Sequence, residues 1–435
     1  MTVQTLSIAT ATHPVGARQA SKLMWFFAFV YIAEGLAQIS GILHQPVYRY
    51  FMGGLGWSSA EVSDYLLVLG FPWYFKWLYG LTSDCLPLFG YRRKSYLFLF
   101  NFATTVALVA LTATTSPRLI LAELFVIVTG MATSSALCGG LLVQYGKASG
   151  LAGKFCSQQT LFVNLSSIFA GLAGGFLCNH FLPAGALHWA ALIAMIGPLL
   201  VVLSTYHLVE EEKEPTDWTS IKHNFKEGFK NIGSVLSSRS MWAVGGFLFL
   251  WAFNPGFGAP MYDHMTKHLH FDDETVGKLA MFYSIGAACG GFIYMKVLTG
   301  RYKVGTLAAA LILVGASVQA LFVYMSDYHT GIALNLANGF VTAMALLNAH
   351  VIAANRCPDH AEGFMYSILL SIANISFSTS QWLGAHLYDE HFGKQIEPLI
   401  LLSAGLTFLC VFMVPFLNFE KQASTAAKAE VKAEA

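Results

Sequence analysis

Lys76 is the first residue in this chain whose type and surroundings point to chemistry. It lies inside the run GFPWYFKWLYGLTSD, among Phe71, Trp73, Tyr74, Phe75, Trp77 and Tyr79. An ammonium group in hydrocarbon costs about 2.5 to 3.5 kcal/mol on insertion scales, so it calls for a partner or a ligand. Glu34 offers the opposite charge. It stands about 12 residues into the preceding apolar run, roughly 18 Å of helix rise, while Lys76 lies roughly 12 Å before Asp84 at the end of its own run. A lysine stem covers such a difference in depth by snorkelling, so the spacing predicts a Glu34–Lys76 ion pair. That pair has two readings. In one it is a coupling site, where Glu34 takes a proton in one state and releases Lys76 to an anionic substrate group in the other. In the other it is a permanent structural pair that fixes helix orientation.

The aromatic rings around Lys76 can stack on a planar ligand, and Tyr74 or Trp77 is the expected pocket-lining ring. Glu123, near the start of the fourth apolar run, is either a second cavity carboxylate or a residue snorkelling to the interface. Asn348 and His350 in the tenth run, with Gln381 and His386 in the eleventh, either reach a ligand or bond between helices. Asn254, Pro255, Gly256, Gly258 and Pro260 interrupt the seventh run, and the prolines remove backbone donors. This predicts a broken helix over 254–260 that serves as a hinge or gate, since unwound backbone at depth must line protein or a cavity. His264, His268 and His270 have a spacing that can hold a metal. Interfacial histidines beside Asp263, Asp272 and Asp273 are the commoner reading, and no metal site is assigned. No phosphate loop, nucleophile elbow or metalloprotease pair stands where it could operate, so the sequence predicts neither an enzyme nor a cofactor.

These residues need elements that cross a bilayer. Of 435 residues, 55% are hydrophobic and 11% charged, far below the roughly 25% charged fraction of soluble domains. The net charge of +1 gives no sign of a nucleic-acid partner. The seven cysteines are scattered in apolar runs without a C-x-x-C pair and read as buried small hydrophobes rather than a disulfide framework. Apolar segments of spanning length, about 20 residues, fall near 24–45, 61–83, 96–115, 118–144, 155–180, 188–208, 241–266, 275–298, 304–325, 329–355, 362–387 and 397–418.

The expected fold is therefore an all-α membrane protein of twelve transmembrane helices in two six-helix halves, 24–208 and 241–418. A charged linker at 209–240 separates them, with tails at 1–23 and 419–435. Within the linker, Trp218, Ile221, Phe225, Phe229, Ile232 and Leu236 recur at helical spacing. They predict an amphipathic helix on the membrane surface, or a plain linker. Arg92, Arg93, Lys94, Lys147, Lys154, Lys222, Lys226, Lys230, Arg239, Lys296, Arg301, Lys303, Arg356 and Lys421 all fall on one side. Only Arg49, Arg118, Lys267, Lys278 and Lys394 fall on the other. The bias predicts cytoplasmic termini. Two parallel halves about such a linker point to the major facilitator architecture, with a midplane site between the halves. Small residues in the fifth span (Ala170, Gly171, Gly174, Gly175) and eighth span (Gly286, Gly290, Gly291) allow close helix approach, either sliding across the halves or static within one.

The stretch from Pro72 to Arg93 resembles a lengthened major facilitator loop signature. Pro72, Trp73, Lys76, Tyr79, Gly80, Leu81, Ser83, Asp84, Pro87, Gly90, Tyr91, Arg92 and Arg93 form a pattern similar to the folate-biopterin transporter family. Glu34-Gly35 and the stretch from Phe249 to Tyr294 fit the same family. Two positions depart from its pattern: Trp77 follows the lysine where a proline is expected, and the fourth span, GMATSSALCGGLLVQYG, carries no aspartate. The resemblance implies a secondary transporter in the plasma or bacterial inner membrane, acting as a monomer on a folate- or pterin-like solute with a proton as coupling ion. Glu34 would meet the aminopyrimidine edge and Lys76 a carboxylate. Asp84, Arg92 and Arg93 would form an inner gate and Pro255 part of another. The alternatives are a transporter similar to the muropeptide permeases and a non-transporting sensor or assembly factor on the same scaffold.

Overall fold

The computed structural model describes residues 17–149, 152–211, 213, 217–299, 301–354 and 362–417. Most of the two tails, together with Arg356, Cys357 and Lys421, lies outside the described residues.

In hydrocarbon every backbone polar group must be satisfied within its own segment, and the apolar runs accordingly fold as helices. In chain order these are α1 (Ala17–Ala37), α2 (His44–Tyr48), α3 (Ser59–Tyr74), α4 (Lys76–Cys85), α5 (Lys94–Leu111), α6 (Pro117–Ser149), α7 (Ala152–His180), α8 (Pro183–Ala194) and α9 (Ile196–Leu208) in the first half. After α10 (Trp218–Leu236) come α11 (Arg239–Ala252), α12 (Ala259–Asp263), α13 (Asp273–Ile293), α14 (Val304–Leu321), α15 (Tyr328–Ala354), α16 (Glu362–His386) and α17 (Glu397–Leu409). Eight of the described helical segments are long and apolar enough to cross a membrane. Among the described residues, α1, the α3–α4 pair, the α11–α12 pair and α16 complete a pattern consistent with twelve traverses, six on each side of α10.

Helix starts follow local chemistry. Ser58 opens α3 with a capping box: its hydroxyl accepts from the Glu61 N–H at 3.2 Å and the Glu61 carboxylate accepts from the Ser58 N–H at 2.8 Å. Asp272 caps α13 through the Thr275 N–H, and Asp327 caps α15 through the Thr330 N–H, each at 3.0 Å. The Thr275 hydroxyl and N–H hold the Asp272 carboxyl below its ordinary range, and the Thr330 N–H does the same for Asp327.

Four traverses are interrupted, the sixth only at the single residue Met195 (φ −56°, ψ −28°) between α8 and α9. α1 gives way to turns over 38–43 before α2, where the sequence alone suggested one run through residue 45. The second traverse breaks at Phe75 (φ −107°, ψ 23°), between α3 and α4. The seventh breaks over 253–258, where the prolines and glycines predicted it, with Gly258 at φ +101°. The α2 and α12 turns each lead into a single π-helical stretch, Arg49–Gly54 and His264–His268.

The half made by α1–α9 and the half made by α11–α17 meet closely on the face opposite the Arg92–Lys94 loop, called the far face below. Its main core cluster joins first-half residues such as Leu43, Phe51 and Leu177 to Ala259, Tyr262 and Val276 of the second half. There α7 and α13 approach glycine to glycine. A Cβ on Gly175 would stand 2.9 Å from Gly277 Cα and from the Asp273 carbonyl oxygen, so only glycine allows this spacing. Gly286 and Gly290 instead lie against Leu336 and Phe340 of α15, so their small size serves packing inside the second half. α10 rests Gly228 on Leu81 and Cys85 of α4 and buries Ile221, while Trp218 and Phe229 stay exposed.

Candidate functional site

The break at Phe75 makes Lys76 the first residue of α4. Pro72 cannot donate to the Val68 carbonyl, and α3 ends two residues later. The Trp73 carbonyl, freed by the break, is met by Asn374 Nδ2 of α16 at 3.4 Å. Lys76 Nζ lies 5.1 Å from the centre of the Trp73 ring, within cation–π range.

Lys76 and Glu34 come together, but through a third residue. Lys76 Nζ donates to Ser135 Oγ at 2.9 Å, and Ser135 Oγ donates to Glu34 Oε1 at 3.1 Å. The sequence predicted a direct ion pair; a hydroxyl from α6 stands between the two charges instead, while the ammonium leans over Trp73. Glu34 Oε2 is buried without a hydrogen-bond partner. Cys138, one turn along α6, is buried within electrostatic reach of both charges, and His350 of α15 is within reach of Lys76 from the second half. The constellation thus draws on four traverses: α1, α3–α4, α6 and α15.

Other residues singled out from the sequence fall elsewhere. Tyr74 is buried and donates to the Leu67 carbonyl at 3.1 Å, beside Ser378 of α16. Trp77 packs on the second-half core around Met241, Val244 and Phe247. Glu123 accepts from Thr114 Oγ1 at 2.7 Å, and the Thr114 carbonyl in turn lies 2.9 Å from His188 Nε2, so this carboxylate fixes the far-face turn between α5 and α6. Asn348 is buried against Tyr294, its Oδ1 accepting the phenol at 3.1 Å. The His264 and His268 rings stack, 5.5 Å apart, and among the described residues no three His, Cys, Asp or Glu side chains converge as metal ligands.

The broken backbone of the seventh traverse is satisfied from its neighbours. The Asn254 N–H donates to Ser380 Oγ at 3.0 Å, Gln381 Nε2 donates to the Asn254 carbonyl at 2.7 Å, and the Gly256 N–H donates to Ser403 Oγ at 2.7 Å. Pro255 sits between these bonds, and Asn254 Oδ1 remains buried without a partner. Gln381 therefore supports the break rather than standing beside Lys76.

On the face carrying the Arg92–Lys94 loop, Arg93 reaches Asp84 at 3.4 Å. Glu211, which sequence reading left in a charged linker, accepts from the N–H groups of Arg92, Arg93 and Lys94 at 3.1, 3.1 and 2.8 Å. A carboxylate at the start of α5 satisfies its unpaired donors and its dipole. Lys94 Nζ answers by donating to the Val209 carbonyl beyond α9 at 2.9 Å, and Lys22 pairs with Glu210.

Far-face contacts between the halves also escaped the sequence. Arg49 Nε lies 3.1 Å from Asp273, whose Oδ1 accepts from the Tyr262 hydroxyl at 2.8 Å and whose carbonyl accepts from Gln45 Nε2 at 2.5 Å. The Tyr48 ring stacks on Tyr262 at 5.3 Å. On the other side, Asp64 accepts from Trp382 Nε1 at 2.7 Å and lies 3.7 Å from His386, and Asp389 accepts from the Ala60 N–H at 2.7 Å.

Known proteins share this fold. A crystal structure of a D-xylose-proton symporter matches with a TM-score of 0.69 at 13% identity, over 91% of this chain and 97% of that one. The fold is thus the all-α major facilitator fold. The folate-biopterin transporter of Synechocystis sp. is 23% identical over 410 residues, 89% of this chain and 80% of that protein. Folate transporter 1 of Plasmodium falciparum is 25% identical over 343 residues, 75% of this chain and 66% of that protein. The family description that matches residues 35–398 is the BT1 family, and this chain, a membrane transporter by kinship, belongs to it.

Proposed function

We propose that this transporter carries a folate- or pterin-like solute by alternating access, with a proton as coupling ion, and works as a monomer. The observation that carries this reading is the Glu34–Ser135–Lys76 chain at a helix break. Glu34 keeps one buried oxygen unspent, and Lys76 keeps ammonium donors that no described acceptor takes up. A pterin ring offers N–H donors on its aminopyrimidine edge to the first. A glutamyl or other carboxylate suits the second, and Trp73 supplies a flat face nearby. Protonation of Glu34 removes the charge that competes with a substrate anion for Lys76, which is how a proton and an anion would travel together.

The lysine and arginine asymmetry supports a cytoplasmic placement of both termini and of the Asp84–Arg93 contact. The far face is then the extracytoplasmic one, and the membrane is the plasma or bacterial inner membrane. In this reading Asp84, Arg92 and Arg93 belong to the inner gate and the 254–260 segment, with Pro255, to the outer one. The folate-biopterin resemblance and the named relatives support the cargo class.

The test is a thermal-shift screen of the purified protein against folic acid, biopterin, muropeptides and nucleosides, followed by uptake into proteoliposomes with and without an imposed pH gradient. Binding at 100 times Kd stabilises by about 2.7 kcal/mol. Stabilisation by the pteridines with gradient-driven uptake supports the proposal. A shift with muropeptides alone would transfer the cargo to that class, and binding without uptake would point to a sensor.

A further inference from the structure

We infer that Ser135 is a positioning residue, whose hydroxyl holds the Lys76 ammonium and the Glu34 carboxylate one hydrogen-bonded atom apart so that a ligand meets both charges without having to break a contact ion pair. This rests on the reading of Glu34 and Lys76 as the transport site.

The geometry is directional. Ser135 has a single hydroxyl hydrogen, and Glu34 Oε1 takes it at 3.1 Å, while the oxygen accepts from Lys76 at 2.9 Å. The flanking charges thus fix the rotor: the cation meets its lone pair and the anion its hydrogen. Two charges in direct contact within low dielectric are costly to separate, and each spends its best hydrogen bond on the other. With a hydroxyl between them, attraction persists but Glu34 Oε2 stays unbonded and the ammonium keeps donors in hand. The Trp73 ring, centred 5.1 Å from the ammonium, takes none of them up as a conventional acceptor would. Ser135 comes from α6, whereas Glu34 lies on α1 and Lys76 opens α4, so the spacing is set between helices rather than along one.

Without the hydroxyl, the ammonium is free to close on Glu34 and both lose availability to the ligand. Losing a hydrogen bond to a charged group corresponds to about a tenfold to hundredfold loss in affinity.

The experiment compares Ser135→Ala and Ser135→Thr in the full-length protein, using folic acid as the probe. A positioning hydroxyl predicts a weaker Kd and a raised KM for Ser135→Ala, with Ser135→Thr restored to near wild type. A role in packing predicts the reverse order, since alanine fits any space serine fills while threonine adds a methyl group, and that order would overturn the inference. A ligand-free measurement separates this from the choice of cargo. Thermal stability is measured for Ser135→Ala in the wild-type background and in Glu34→Gln/Lys76→Met. A lower melting temperature in the first background only supports a hydroxyl that acts through the two charges. Equal effects in both overturn it, whatever solute the protein carries. Should the wild type ignore folic acid while this coupling stands, the cargo reading fails and the positioning role survives.

Discussion

At the scale of single residues, the two charges in the membrane were legible because an ionisable side chain in an apolar run is rare and costly. On the proposed cargo, Lys76→Met and Glu34→Gln are each expected to lower pteridine uptake by about tenfold or more, the loss of one hydrogen bond to a charged group. Uptake rates normalised to protein in the membrane check this. Ser135 could not be singled out the same way. It is one of two adjacent serines in ATSSALCGG, and nothing in that string marks which faces Lys76. Glu211 was hidden for a different reason, since an acidic run reads as solvated until its carboxylate is found on three backbone N–H groups.

Asp327 gives a pH prediction at the same scale. Its carboxyl is held below the ordinary value of 3.8, so its cap on α15 is fully present above that value and is lost as pH falls through the lower folded one. Amide exchange at His329 and Thr330, whose N–H groups it accepts at 2.8 and 3.0 Å, is expected to lose protection only in that acid window.

Among the elements, the interrupted helices carry the most information. The first traverse of each half breaks, over 38–43 and 253–258, and each break leads into a short helix and a π turn. Interrupted segments in corresponding positions of two halves are a recognised pointer to a substrate site. The Pro255 break was legible from proline and glycine chemistry. The break at 38–43 was not, because Ser40-Gly41 alone is a weak signal in an apolar run. The break at Phe75 was also missed, although Pro72 announces it, because a proline near one end of a long apolar run is compatible with a kinked but continuous helix. Gly258→Ala is expected to destabilise the protein by about 1 kcal/mol or more, because φ +101° excludes a Cβ in ordinary geometry and the methyl would press on Gln381. A lowered melting temperature for this variant, beside an unchanged one for Gly246→Ala within α11, would show it.

For the whole molecule, the two halves are clasped on the far face at two places, by Arg49–Asp273 with Tyr48–Tyr262 and by Asp64–Trp382 with Asp389–Ala60. Opening that face requires both to part. A polar cavity of about 360 Å³ lies at the first clasp, lined by Arg49, Met52, Asn179, Tyr262 and Lys267 among others. Arg49→Ala and Asp273→Asn remove one partner of a half-buried contact and are expected to favour the state open on this face. Labelling of Met52→Cys by a membrane-impermeant thiol reagent should quicken several-fold in either background, and an unchanged rate would show that the clasp does not hold the face shut. Orientation is tested on the same molecule. Epitope tags at both ends should be shielded in intact cells and exposed after permeabilisation.

What the sequence determined by itself is what depends on composition and order along the chain: a polytopic membrane protein, two six-span halves about a charged linker, an acid and a lysine inside apolar runs, and a proline-broken seventh span. Each of these follows from local free energy, the cost of a charge in hydrocarbon or of a missing backbone donor, and needs no knowledge of neighbours. The tertiary structure alone decided which groups meet. It placed Ser135 between Glu34 and Lys76, gave Gln381 and Ser403 to the unwound backbone, and set Gly277 rather than Gly286 or Gly290 against Gly175. It also chose between the two readings of Glu123 by setting that carboxylate on the Thr114 hydroxyl at the far-face turn. Partners separated by tens of residues to well over a hundred are chosen by helix rotation and tilt, and those are set by packing between helices, which leaves no period in the sequence to read.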